Sequence, residues 1–458
     1  MNIIIVGCGK VGTTLAQQLL REDHDITMVD TNRTALETVV NSLDVQGVYG
    51  NGTTHRVLKE AGVETADLLI AVTSHDETNM LSCLIARKAS RCQVIARVRD
   101  PEYNEDTDFL KGELGLSLVI NPEMAAASDI FRLLQIPSAL DVDTFEKGRV
   151  NMLRFKVSPD SPLNGHNMIE INNMMRGNLL VCMRERDRDV VIPSGNTTLL
   201  SGDTISVVIP VHQMSNVLTK LKLHKKPVKS VMIAGGSATA QYLGQMLLNV
   251  GVQVKIIDRD RNTCELLADR LHGAEIVCGD AGDKQLLAEE GLENSDAFIC
   301  LTNIDEANLM MSLYANQISK TKTIAKVSKI DFEEVINTLN IGSVIYPKNI
   351  TAEIIVRYVR GLENAKGNNV ETLYRLADGK VEAMAFEVRS GANVTGRKLM
   401  DLNLKKGLLI CSITRKGRII TPTGSDMIEE GDIVVVITTI HGIRDLSDIV
   451  DSERKRTS

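Results

Sequence analysis

The sequence contains no apolar run that approaches the roughly 18 to 20 residues a membrane-spanning helix requires. Met1-Asn2-Ile3 enters a strand directly, without the charged start and apolar stretch of a signal peptide. A soluble, cytosolic chain is therefore expected. The eight cysteines (Cys8, Cys83, Cys92, Cys182, Cys264, Cys278, Cys300 and Cys411) stand singly, with no Cys-x-x-Cys pair. Neither a zinc site nor a disulfide framework follows from that spacing, and the thiols are expected to be reduced and mostly small core residues. There is no broad basic face either. With 52 Lys and Arg against 59 Asp and Glu, the net charge is −7 and both signs are dispersed, which disfavours nucleic acid and anionic lipid as partners. The eight histidines form no H-E-x-x-H or paired cluster, and neither a nucleophile elbow nor a Walker A loop occurs.

What the sequence does contain, it contains twice. Ile3 to Val6, the loop Gly7-Cys8-Gly9-Lys10-Val11-Gly12, a helical stretch to Leu20 and a strand closing at Asp30 return as Val231 to Ala234, Gly235-Gly236-Ser237-Ala238-Thr239-Ala240, a helical stretch to Leu248 and a strand closing at Asp258. Ala71-Val-Thr-Ser-His-Asp-Glu-Thr-Asn79 returns as Cys300-Leu-Thr-Asn-Ile-Asp-Glu-Ala-Asn308. Ile95 to Val98 returns as Ile324 to Val327, and Gly202-Asp203 as Gly431-Asp432. The last three pairs share one offset, 229 residues (300 − 71, 324 − 95, 431 − 202), which is half of 458. The chain reads as a tandem duplication, so its function must be one that two fused copies can share.

With 43% hydrophobic residues and halves larger than a typical domain, each half is expected to split again. Through about residue 125, apolar strands near 3–6, 26–29, 45–49, 68–72, 93–98 and 117–120 alternate with amphipathic helices. That rhythm predicts a parallel sheet wrapped by helices on both faces. After Pro137 short alternating runs take over (Val150 to Val157, Leu179 to Met183, Val190 to Ile192, Thr204 to Val208), interrupted by one helical piece at Met168 to Met175. This predicts a small α+β lobe. Leu221 to Ser230, rich in lysine, reads as a solvated connector. The second half repeats the plan, with a break at Gly361 to Asn369, a hairpin turning at Lys416-Gly417 and a polar tail from Asp451. The expected fold class is α/β: two tandem Rossmann-like doubly wound parallel sheets, each followed by a small α+β C-lobe. The expected boundaries are 1–136, 137–224, 225–362 and 363–450.

The Gly7-x-Gly9-x-x-Gly12 loop directly follows a strand and opens a helix, and Asp30 closes the next strand about 20 residues on, the context that marks a dinucleotide loop. Gly7 permits the tight turn, Gly9 lets the backbone approach a pyrophosphate, and Gly12 allows close helix-to-strand packing, while the helix N-terminus offers unpaired N–H groups to phosphate. Asp30, with Thr31 after it, is placed for ribose hydroxyls. A 2′-phosphate there would meet a like charge, which favours NAD(H) or ATP/ADP over NADP. Asn51-Gly52-Thr53 and Thr73-Ser74, at the carboxyl ends of the third and fourth strands, complete the cradle. In the second copy Gly235 and Asp258 are kept, and Asp280-Ala281 and Thr302-Asn303 stand in for the cradle. Ser237 and Ala240 replace the second and third glycines, so a dinucleotide is expected to bind there weakly, and a mononucleotide stays open. Arg97 and Lys326 end the fifth strands on the same rim, either toward a phosphate or acidic partner or as solvated cations. Lys10 would reach a phosphate, across a subunit interface, or lie exposed. Asp76-Glu77 and Asp305-Glu306 read as helix-dipole partners rather than metal ligands.

These residues resemble the regulatory subunits of Trk-type potassium uptake systems, the TrkA family, built from two tandem RCK (or KTN) units. The most specific matches are the Gly7 to Gly12 loop with Asp30, the segment Ala71 to Met80, Ile95 to Val98, and Ile192-Pro193-x-Gly195 with Gly202-Asp203. The resemblance spans essentially the whole chain. It implies a non-enzymatic protein that binds NAD(H) or ATP/ADP and forms a ring, here a homotetramer, beneath a membrane potassium channel subunit (TrkH/TrkG-like). It also implies a cytoplasmic location, peripheral on the inner face of the membrane. Two other classes stay open. An NAD-dependent oxidoreductase lacks a placed acid–base set here and has no use for a second nucleotide domain; the third class is a non-sensing structural scaffold.

Overall fold

The protein is described from a computed structural model covering residues 1–451 except 146–148, 188, 224–225, 320, 331, 337–338, 340, 365–369, 378–379, 441 and 444. Its first sheet holds β1 (Asn2–Val6), β2 (Asp25–Asp30), β3 (Gln46–Tyr49), β4 (Leu68–Ala71), β5 (Gln93–Arg97) and β6 (Leu118–Ile120), all parallel in the order β3-β2-β1-β4-β5-β6. β1 and β4 are the continuous apolar runs, buried from Ile3 to Val6 and from Leu68 to Ala71, as central parallel strands must be when helices cover both faces. The crossover helix Lys10–Leu20 presents Gly12, Leu15, Ala16 and Leu19 to the sheet at helical spacing. Strand order reverses between β1 and β4, and ligands of open α/β sheets bind in the crevice at such a switch point.

A five-stranded antiparallel sheet follows: β7 (Asp141–Phe145), β8 (Val150–Lys156), β9 (Leu180–Arg186), β10 (Asp189–Val191) and β11 (Thr204–Pro210), in the order β10-β9-β11-β8-β7. The expected helix Met168–Met175 is present and closed by a capping box between Asn167 and Glu170. Sequence reading missed β7, an edge strand whose Asp141, Asp143 and Thr144 dilute the alternation, and the helix Met214–Lys220.

The second half repeats both sheets. β12 (Ser230–Ala234), β13 (Gln253–Asp258), β14 (Glu275–Cys278), β15 (Ala297–Cys300), β16 (Lys322–Lys326) and β17 (Ser343–Ile345) pair in the order β14-β13-β12-β15-β16-β17. β18 (Val370–Leu376), β19 (Val381–Glu387), β20 (Leu408–Arg415), β21 (Arg418–Ile420) and β22 (Ile433–Thr438) form the order β18-β19-β22-β20-β21, strand for strand that of the first small sheet. Lys416 and Gly417, both at positive φ, make the two-residue turn joining β20 to β21. The helix Met168–Met175 is not repeated: the 3-10 turn Leu399–Asp401 stands in its place between β19 and β20.

Compactness does not follow the sequence halves. Residues 1–134 and 228–356, carrying both parallel sheets, form one unit, and 135–227 with 357–458, carrying both small sheets, form the other. In the second unit the two small sheets share a core in which Cys182, Cys411, Phe145 and Tyr374 meet. The Tyr374 hydroxyl donates to the Thr144 carbonyl at 2.6 Å. Of the eight thiols, all free, only that of Cys278 is exposed. The expected break and tail fall mostly outside the described residues, as do His224 and His441.

Candidate functional site

The first glycine loop is held by its own backbone. Gly7, at φ +113°, donates its N–H to the Val29 carbonyl at 2.8 Å, and a β-carbon there would stand 3.1 Å from the backbone of Val72 and Thr73. Gly9 is extended at the start of helix Lys10–Leu20, and a β-carbon on it would meet nothing within 4 Å, so the space in front of the helix is open. Thr13 N–H is the donor bonded to the Gly9 carbonyl, which leaves the earlier N–H groups of that turn without intrahelical partners. A negatively charged group of phosphate size fits such a place by dipole and by hydrogen bonding.

Asp30 is tied to this loop. Its carboxylate accepts the Cys8 N–H at 2.6 Å and the Asn32 N–H at 2.7 Å, so it braces the loop as well as presenting the rim expected to meet a ribose. Burial, then the Asp30 charge, push the Cys8 thiol up to about 12, which makes it an inert filler rather than a nucleophile. Thr31 is exposed beside Asp30, and Val11 is half-buried. Asn51 accepts the N–H and the hydroxyl of Thr53 at 2.9 and 2.8 Å. Gly52 has no room for a side chain: a β-carbon would lie 2.4 Å from Val6. Ser74 bonds His75, and its carbonyl accepts from Arg99.

Asn79, quoted in the repeated segment but given no role, is the residue that positions the β4 loop. Fully buried, it accepts the N–H and hydroxyl of Thr73 at 2.8 and 2.7 Å and donates to the Arg97 carbonyl at 2.9 Å. Asn308 repeats the pattern with Thr302 and Lys326. Its recurrence at the 229-residue offset was the available signal.

Several side chains differ from the sequence reading. Arg97 is not a solvated cation: its guanidinium is largely buried, donates to the Thr73 carbonyl at 3.3 Å and lies 3.8 Å from Glu123. Burial depresses its pKa, against the opposing pull of Glu123. Lys326 is likewise buried, donates to the Leu301 carbonyl at 3.1 Å and is depressed by desolvation. Lys10, exposed, reaches the Lys329 carbonyl of the second copy in the same chain. Asp76 and Asp305 do more than face a helix dipole. Asp76 accepts the N–H groups of Arg99 and Asp100, and Asp305 those of Ser328, Lys329 and Ile330, so each ties the start of its helix to the loop after the fifth strand.

The second copy keeps the frame. Gly235 at φ +100° donates to Ile257, and Asp258 accepts the Gly236 N–H at 2.6 Å and the Asp260 N–H at 2.8 Å. Ser237 has the extended backbone of Gly9, and its buried hydroxyl oxygen makes no hydrogen bond. Asp280 accepts the Gly282 N–H, and Thr302 bonds Asn308. Ala281, buried, replaces Gly52, and the smaller Ala234 replaces Val6 beneath it, a compensating exchange of volume. Between these loops lies a cavity of about 450 Å³, reached by Gly235, Ser237, Asp258, Asp280, Ala281 and Thr302. No group of three or more acidic, histidine or cysteine side chains fit to hold a metal occurs among the described residues. Nor is any described helix long and apolar enough to cross a membrane.

The TrkA-N domain model matches residues 3–122 and 231–347, and the TrkA-C domain model matches 152–222 and 383–451. The Trk system potassium uptake protein TrkA of Haemophilus influenzae is 32% identical over 442 residues, 95% of each chain. A TrkA homolog of Archaeoglobus fulgidus is 31% identical over 450 residues, covering 98% of this chain and all of its own. Among solved structures, the GsuK RCK domain superposes with a TM-score of 0.62 at 19% identity, covering 95% of this chain and 92% of its own. The GsuK channel bound to NAD gives 0.62 at 19%, covering 95% and 76%. At that identity the two structures speak for the fold. The names are those of uptake proteins and RCK domains, not of enzymes.

Proposed function

The chain belongs to the TrkA family, with both family domains present twice, and from that premise we propose that it is a nucleotide-sensing regulatory subunit of a Trk-type potassium uptake system. It is not an enzyme. In this reading it sits on the cytosolic side of a membrane potassium channel subunit (TrkH/TrkG-like), as a homotetramer that presents an even number of RCK units to the pore. NAD(H), or ATP/ADP, is held in the first copy by the backbone of the Gly7 to Gly12 loop at the helix start, with Asp30 on the ribose and Asn51, Thr53, Thr73 and Ser74 around the phosphates. The observation that carries this is the loop itself: an extended Gly9 facing open space at a helix start, with Asp30 already bonded to Cys8.

In the second copy Ser237 narrows the approach of a pyrophosphate, and Asp258 is left to hold the ribose of a mononucleotide. A bound nucleotide gates only through different affinities for two ring shapes, a coupling of about 1 to 3 kcal/mol. Lys10, spanning from the first glycine loop to the Lys329 carbonyl, is one contact whose geometry a phosphate would change.

The test is potassium flux into proteoliposomes holding the channel subunit and this protein, with NADH, NAD, ATP or ADP added, alongside calorimetric titration of each nucleotide. Flux that changes with nucleotide, at the concentrations that saturate binding, supports the reading. Binding without any change in flux would leave a scaffold, and cofactor turnover would restore the oxidoreductase.

A further inference from the structure

One pair of cysteines belongs to the second copy only. Cys264 lies in helix Arg261–Arg270, and Cys278 is the last residue of β14. Their counterparts in the first copy are Leu36 and Tyr49, placed by the matching registers Asp258 with Cys278 and Asp30 with Tyr49. The Cys264 sulfur is 3.3 Å from the Asp258 carbonyl and 3.9 Å from the Val277 carbonyl, directly over the paired ends of β13 and β14. The two thiols interact there: burial first, and then the neighbouring Cys278 thiol, raise Cys264 to about 11. One partner is buried and the other exposed. This is the arrangement in which an accessible thiol is oxidised and a protected one resolves it.

The pair also adjoins the cavity of the second copy. Thr263, next to Cys264, and Asp280 to Gly282, just beyond Cys278, line it. We propose that Cys264 and Cys278 form a reversible dithiol–disulfide site, oxidised by hydroperoxides and restored by a dithiol reductant, which fastens the helix Arg261–Arg270 to the end of β14 beside the cavity. The Cys278 thiolate attacks one peroxide oxygen; an S–O bond forms, the O–O bond breaks, and hydroxide (or alkoxide) leaves. The Cys264 sulfur then attacks the sulfenic sulfur, an S–S bond forms, the S–O bond breaks, and the departing oxygen takes the Cys264 proton as water. A dithiol reverses the bond by two thiol–disulfide exchanges and is itself oxidised. None of these steps requires a nucleotide, although the position of the site gives it a bearing on whatever the cavity holds.

The full-length protein is treated with hydrogen peroxide, blocked with an alkylating reagent, and digested without reductant for mass spectrometry. A crosslinked peptide joining Cys264 to Cys278, short of both thiol hydrogens and abolished by dithiothreitol, is expected. Amide exchange at residues 259–264 and 279–283 is expected to slow by about tenfold in the oxidised protein. Cys264→Ser should instead accumulate a dimedone adduct on Cys278, while Cys278→Ser should form neither product, and both variants should keep the wild-type thermal midpoint. Peroxide that over-oxidises Cys278 without a crosslink in the wild-type protein would overturn the proposal, as would a crosslink with unchanged amide exchange. A protein that binds no nucleotide yet forms the crosslink would refute the nucleotide reading alone.

Discussion

The carbonyl oxygen of Gly7 occupies the place where a side chain at residue 12 would begin: a β-carbon on Gly12 would lie 2.0 Å from it. Gly9, three residues earlier in the loop, faces open space. The two glycines therefore answer to different demands, one to packing and the other to ligand approach. Gly12→Ala must push helix from strand and is expected to cost about 2 kcal/mol, lowering the thermal midpoint by several degrees. Gly9→Val puts a disfavoured residue at the N-cap of the helix and should cost less, about 0.5 to 1 kcal/mol, while removing most NADH binding. Calorimetry and thermal melts on both variants check this. A Gly9→Val protein that binds NADH normally would end the first-copy site assignment.

Asp30 and Asp258 carry the same pair of backbone hydrogen bonds in the two copies. Replacing either by Ala leaves two N–H groups without their acceptor and should cost about 1 to 3 kcal/mol. The binding effects should differ. Asp30→Ala is expected to abolish tight NADH binding, and Asp258→Ala to leave it nearly intact. Titrations showing equal losses, or two equally tight NADH sites in the wild-type chain, would contradict the division of labour proposed for the two copies.

Asp203, 1% exposed, is gripped by Arg186 through bonds of 2.6 and 2.7 Å and accepts the Leu200 N–H at 2.8 Å. Arg415, Asp432 and Glu429 repeat the arrangement in the second small lobe. Burial alone would raise the Asp203 carboxyl, but the guanidinium and the N–H hold it below the usual range. A depressed folded pKa gives stability that is full above the unfolded value of about 3.9 and is lost as pH falls through the folded one. Thermal midpoints between about pH 7 and about pH 3 should therefore drop at the acid end. Asp203→Asn should lower the midpoint at neutral pH, by about 3 kcal/mol of stability, and flatten the acid limb.

Much of this was legible because two copies annotate each other. Alternating apolar runs gave both parallel sheets, since strands such as Leu68–Ala71 are buried on both faces and leave an unmistakable apolar stretch. The glycine loops were equally plain, because Gly7 and Gly235 need a backbone conformation few other residues adopt. Less legible was anything decided by burial of polar groups. In sequence Arg97 and Lys326 read equally as cations facing a phosphate or acidic partner or as solvated ones, and only the packed structure shows them desolvated, Arg97 beside Glu123 and Lys326 beside Leu301. β7 escaped because an edge strand can carry aspartates. That the two parallel sheets share one compact unit has no local signature at all, since it depends on contacts between residues hundreds of positions apart.

Asn79 offers the sharpest remaining test, because its amide is used from both ends. The oxygen accepts from Thr73, and the nitrogen donates to the carbonyls of Arg97 and Thr73, at 2.9 and 3.3 Å, with no exposure to water. Asn79→Ala removes every one of these bonds and leaves buried groups unsatisfied, at an expected cost of about 2 to 4 kcal/mol. Asn79→Asp keeps the shape but turns a carboxylate oxygen toward two carbonyl oxygens. The neutral acid is then the tolerated form, so the folded pKa of the new group must rise above the unfolded value of about 3.9. A raised folded pKa contributes stability below the unfolded value that is lost as pH rises through the folded one. The Asp variant should consequently approach the wild-type midpoint in mild acid and fall away from it toward neutral pH, whereas the Ala variant should stay low throughout. Nucleotide affinity should follow the same pH course, because Thr73 is held in place by the same amide. An Asp variant as stable as the wild type at neutral pH would show that Asn79 is replaceable and that the β4 loop is fixed by something else.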